Sequence, residues 1–110
     1  GCGGDTFTVT VTVQPEPRGI SEGPIDVCSN VAFNYSLQNN VNTLGNSVTA
    51  NFTWSAAANG NVTGESTALQ AGGVINDVLR NVTNADELIV YTVTPTGANG
   101  CLGNPFTVTF

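Results

Sequence analysis

Three cysteines, Cys2, Cys28 and Cys101, carry most of the chemistry this sequence can offer. None lies in a CxxC pair and the chain has no histidine, so a zinc site is a poor fit. A structural disulfide is the better reading, and disulfides persist in oxidising compartments outside the cytoplasm. Other reactive constellations are missing. Without His or Lys, the usual general base, Ser-His nucleophiles, Schiff-base amines and Lys–Asn isopeptide cross-links all lack a component. Asp86 and Glu87 are neighbours, and neighbours on a strand point to opposite faces, so they make a poor acid–base pair. They read as solvated turn residues. Asp5, Asp26 and Asp77 are scattered without EF-hand spacing. A calcium site built from separate loops stays open as an alternative, but no catalytic residue, cofactor or metal ligand is assigned. The chain is not read as an enzyme.

Charge narrows the partners. Eight acids against two bases (Arg18 and Arg80) give a net charge of −6. No basic patch exists to neutralise phosphates, which makes nucleic acid and anionic membrane poor partners. No run approaches the roughly 18 apolar residues of a membrane span. Four Asn-x-Ser/Thr triplets begin at Asn34, Asn51, Asn61 and Asn81. With 14 Asn and 15 Thr, some arise by chance, though Asn34 and Asn51 fall on outward strand faces.

The elements that must position these residues are strands. Thr and Val favour pleated, half-buried surfaces, and the abundant Gly and Asn favour tight turns. Phe7, Val9, Val11 and Val13 alternate with Thr8, Thr10 and Thr12, a strand with one apolar face. Gln14-Pro15-Glu16-Pro17 then forms an extended, semi-rigid connection. Alternation predicts further strands with Val31, Phe33, Tyr35 and Leu37 inward, and with Val48, Ala50, Phe52, Trp54 and Ala56 inward. A third set is Ile89, Tyr91 and Val93, on a strand stopping near Pro95. Weaker strands are expected over 62–69 and 74–82, a closing strand over 106–110, and a turn over 39–46. No helix is expected. An all-β antiparallel sandwich of about seven strands accounts for this spacing. Phe33, Tyr35, Phe52, Trp54, Tyr91 and Val93 are its expected core.

The chain also repeats itself. Gly1 to Val11 and Gly100 to Phe110 share seven of eleven positions at a constant offset of 99 residues. That period suits one small β-domain rather than a solenoid turn. The sequence thus divides into a terminal strand of a preceding repeat (1–13), a Pro-rich linker (14–18) and one complete repeat (19–110). The repeat also accounts for Gly1-Cys2 better than a lipoprotein cleavage site would.

The ordered set Val27-Cys28-Ser29, Asn51-Phe52-Thr53-Trp54, Tyr91-Thr92-Val93-Thr94-Pro95 and Gly100-Cys101 leading to Phe106-Thr107-Val108-Thr109 resembles PKD-like repeats of large bacterial surface proteins. It departs from the better-known signature in having Ser55-Ala56-Ala57-Ala58 where an acidic turn would follow the tryptophan. The resemblance implies an immunoglobulin-like sandwich acting as an extracellular, cell-surface spacer or adhesive module of a fibre or tandem-repeat adhesin. Neighbouring copies would be its partners, surface glycans a further candidate. In the repeat register Cys28 and Cys101 belong to one domain and are expected to pair, with free thiols as the alternative. Cys2 then belongs to the previous repeat, as an inter-repeat or inter-subunit cysteine. Two alternatives are a carbohydrate-binding module of a secreted enzyme, using Trp54, Tyr35 or Tyr91, and a filament subunit that exchanges the strand Phe7–Val13.

Overall fold

The computed structural model describes residues 3–110. Eight strands and one short helix follow in chain order: β1 (Tyr35–Ser36), α1 (Leu37–Thr43), β2 (Ala50–Ala56), β3 (Val62–Thr63), β4 (Gln70–Ala71), β5 (Val74–Ile75), β6 (Arg80–Asn81), β7 (Val90–Gly97) and β8 (Phe106–Thr109). They form an all-β, immunoglobulin-like sandwich with two layers. The larger sheet has the order β4-β2-β7-β8, all antiparallel. Its register places Trp54 opposite Val93 and Tyr91 opposite Val108.

The second layer is shorter and looser. β1 pairs with β5, β3 pairs with β6, and a bridge between Ala32 and Val78 continues the first pairing. The period-2 alternation of the long strands turns Phe52, Trp54, Ala56, Tyr91, Val93, Phe106 and Val108 inward, where Val62, Ile75, Leu79 and Leu37 complete a buried core. Phe33 and Tyr35 are half-buried at its margin. Phe33 stacks on Phe110 at 4.2 Å between centroids, and Tyr91 meets Trp54 edge-on at 5.6 Å. Both are favoured geometries for aromatic pairs.

Two expectations need correcting. The inward set Val31 to Leu37 does not make one strand, and 39–46 is not a simple turn: the chain turns helical at Leu37. Ser36 caps α1, its Oγ accepting from the Asn39 amide at 3.2 Å. Leu37, Asn40 and Val41 then form a buried face at helical spacing. Asparagine is a poor helix former, and tertiary burial of Leu37 and Val41, both 0% exposed, overrides that preference. The other correction concerns Pro95. β7 runs past it to Gly97, because β8 ends its pairing at Val93 and leaves Pro95 on a stretch where the missing amide breaks no β8 ladder bond.

The segment after the prolines joins the larger sheet from outside. The Glu22 amide donates to the Thr107 carbonyl and the Ile25 amide to the Thr109 carbonyl, at 3.0 and 2.9 Å. Glu22 bridges Val108 in parallel sense. Residues 21–25 therefore run alongside β8 in the same direction, and the outer edge of β8 is occupied.

Candidate functional site: an unpaired strand and two poles

Phe7, Val9, Val11 and Val13 are 86, 77, 75 and 88% exposed. Among the described residues the segment has no strand partner. Its counterparts in the repeat register behave in the opposite way: Phe106, Val108 and Phe110 are 4, 0 and 6% exposed. The same Phe-Thr-Val-Thr string thus occurs once as a finished sheet strand and once as a bare one. Burying each such apolar side chain is worth about 1.5–3 kcal/mol, so this segment holds a large stabilisation that its own chain does not collect.

The prolines between the bare strand and the sandwich are seated rather than free. Pro15 O accepts from Asn99 Nδ2 at 3.3 Å and Glu16 O from Asn46 Nδ2 at 2.7 Å. The Arg18 amide donates to Asn46 Oδ1 at 2.9 Å. Pro17 is fully buried. Gly103 makes room for it, because a Cβ there would lie 2.1 Å from Pro17 O. This end of the sandwich, built around the loop from β7 to β8, is the hairpin pole. Cys101 lies on it, half-buried.

Cys28 lies at the other pole. It is exposed and lines a cleft of about 390 Å³ with Val27, Leu79, Asp86, Ile89 and Phe110. Both Cys28 and Cys101 are free thiols, which corrects the expected bond between them. The reason is the length of β7. From Ile89, beside Cys28, to Gly97, whose amide donates to Cys101 O at 2.8 Å, the strand advances roughly 26 Å at about 3.3 Å per residue. A disulfide needs Cα atoms within about 4.4–6.8 Å. Sequence distance says nothing about which pole each cysteine occupies. Cys2 lies outside the described residues.

The aromatic candidates are turned inward. Trp54 and Tyr91 are 4 and 0% exposed, and neither presents a face to a ligand. Tyr35 is half-buried, with its hydroxyl donating to Glu22 and accepting from Asn40 Nδ2 at 2.9 Å. Burial first, and the Glu22 carboxylate second, push the Tyr35 hydroxyl up to about 12. Tyr91 is raised further, by burial and then by its bond to Asp77.

The acids serve structure. Glu87 accepts from Asn59 and Asn61 side chains at 3.3 and 2.9 Å, while Asp86 is exposed. Asp77, scattered in sequence, accepts from the Ser66 amide, Ser66 Oγ and Tyr91, each at 2.8 Å. Among the described residues no three His, Cys, Asp or Glu side chains gather into a metal-binding group. Of the four Asn-x-Ser/Thr asparagines, Asn34, Asn51 and Asn61 are exposed, and Asn81 is half-buried with its side-chain amide donating to Ala85 O at 2.7 Å. Sequence reasoning missed Asn40 and Asn46, which fasten the incoming segment. Asn40 has its place on the buried face of α1 as a signal, whereas Asn46 lies beyond the helix in an irregular loop and has none.

A family model for the PKD-like domain matches residues 25–110. No curated protein and no solved structure matches the chain. Among the described residues no helix is long and apolar enough to cross a membrane.

Proposed function

The chain belongs to the PKD-like domain family, and from that premise we propose that it is a non-catalytic repeat module of an extracellular, surface-displayed protein. In this reading residues 1–13 are the closing strand of a preceding copy and residues 15–110 the packed body of the next. Its work is to join and extend: a link in a stalk or adhesive array, with neighbouring copies as its first partners.

One observation carries this reading. A segment identical to β8 over Phe-Thr-Val-Thr stands exposed, while β8 itself fills its slot. Strand exchange between separate subunits fits less well. β8 is flanked by β7 on one side and by residues 21–25 on the other, so a folded neighbour offers no vacant β8 position to a donated strand. Burial of Trp54 and Tyr91 counts against the carbohydrate-binding alternative, and its third aromatic, Tyr35, is half-buried.

The test compares the full chain with one beginning at Gln14. Equal melting temperatures, with fast amide exchange over 3–13 in the full chain, are the expected result. A large loss of stability on truncation would show that the strand belongs to its own sandwich. Filaments formed by the full chain and abolished by truncation would favour strand exchange.

A further inference from the structure

We infer that Cys28 of one module forms a disulfide with Cys101 of the module that follows it, so that the array is stapled across each junction. This rests on the tandem reading above.

The path of the chain sets the geometry. Pro17 packs at the hairpin pole against Gly97 and Gly103, and Phe110 ends the module beside Ile89, their backbones exchanging two hydrogen bonds of 2.9 Å. The chain therefore arrives at the pole that bears Cys101 and leaves at the pole that bears Cys28. Consecutive modules meet with the Cys28 pole of the first against the hairpin pole of the second.

The tether between those poles is short. In the repeat register Val11 stands where Phe110 stands, and Phe110 shares its cleft with Cys28. Four residues later Pro15 is already held by Asn99, two residues from Cys101. Four fully extended steps span at most about 14 Å. Within one module the two cysteines are separated by roughly 26 Å of rigid strand; across a junction they are confined by a flexible span about half as long. A tether of this kind gives effective concentrations in the millimolar range.

The same assignment accounts for every cysteine at once. In this chain the partner of Cys28 lies in a following module and the partner of Cys101 in a preceding one. Cys2, equivalent to Cys101 by register, would pair with a module earlier still. Cys28 and Cys101 are thereby left without a partner in their own module, as both are free. Forming the bond joins two Sγ atoms and releases two protons and two electrons. The acceptor is a disulfide oxidant, whose S–S bond is reduced to two thiols.

The test is a two-module protein, residues 1–110 continued by residues 12–110, with Cys28→Ser in the second copy only, oxidised by glutathione disulfide. Trypsin cuts after Arg18 and Arg80 and places each cysteine on its own peptide. The expected product links peptide 19–80 of the first copy to peptide 81–110 of the second. It should exceed by at least about tenfold any link from that peptide to Cys101 of its own copy. A dominant link within the first copy, a link to Cys2, or free thiols throughout would overturn the inference. Small-angle scattering of the reduced protein keeps the premise separate. Poles in apposition there, without a bond after oxidation, would sink the staple and leave the repeat; modules that drift independently would sink the repeat reading.

Discussion

The Tyr91 hydroxyl donates to Asp77 Oδ2 at 2.8 Å from the centre of the aromatic core. Asp77 also holds Ser66 through the amide and hydroxyl, so one carboxylate ties β7 to the loop after β3. Tyr91→Phe keeps the ring packing and removes one of three bonds, for an expected loss of about 1–2 kcal/mol. Asp77→Ala strands a buried hydroxyl and an amide together and should cost more than Tyr91→Phe. Chemical denaturation of both variants checks the order.

Stability should fall in alkali. The folded Tyr35 titrates near 12 against about 10 for an unfolded tyrosine, and Tyr91 is raised in the same direction. The fold thus retains protons that the unfolded chain has lost. Its advantage is intact below about pH 10 and declines as pH rises toward 12. Urea midpoints from pH 8 to 12 should show this decline, and Tyr35→Phe should flatten part of it. Glu22→Gln should lower the Tyr35 titration, read by phenolate absorbance.

Trp54 is a core residue whose Nε1 has no hydrogen-bond partner among the described residues. Trp54→Phe, which gives up no bond, should cost only about 1–2 kcal/mol, whereas Trp54→Ala opens a cavity and should cost about 3–5 kcal/mol. Adding soluble oligosaccharides should leave the tryptophan emission unchanged. A saturable shift would restore the carbohydrate-binding alternative.

Gly103 and Gly4 occupy the same register position with opposite surroundings. A Cβ at Gly103 would meet Pro17 O at 2.1 Å and Pro95 Cγ at 2.8 Å, while nothing lies within 4 Å of Gly4. Gly103→Ala should therefore destabilise by about 1–3 kcal/mol and speed tryptic cleavage at Arg18 by unseating Pro17. Gly4→Ala should change stability by less than about 0.5 kcal/mol.

The larger sheet was legible because its strands are long enough for period-2 alternation to be unambiguous. Phe52, Trp54 and Ala56 on β2 and Tyr91 and Val93 on β7 are buried in the phase their spacing predicts. The second layer was not, because β1, β3, β5 and β6 have two residues each and show no period. α1 was hidden by five polar residues among seven, although Ser36 with Leu37 and Val41 is a capped, i to i+4 signature. The poles were illegible for a different reason. Alternation reports which face a residue takes, whereas the separation of Cys28 from Cys101 depends on the direction in which 21–28 passes β8.

That passage has a mechanical consequence. Residues 21–25 lie parallel to β8, so tension applied at the two ends of a module pulls these neighbouring strands in opposite directions along their length. The bonds from Glu22 and Ile25 to Thr107 and Thr109 are then loaded in shear, all together, instead of being peeled open one after another. A module strung this way resists stretching most strongly along the axis on which its neighbours would pull.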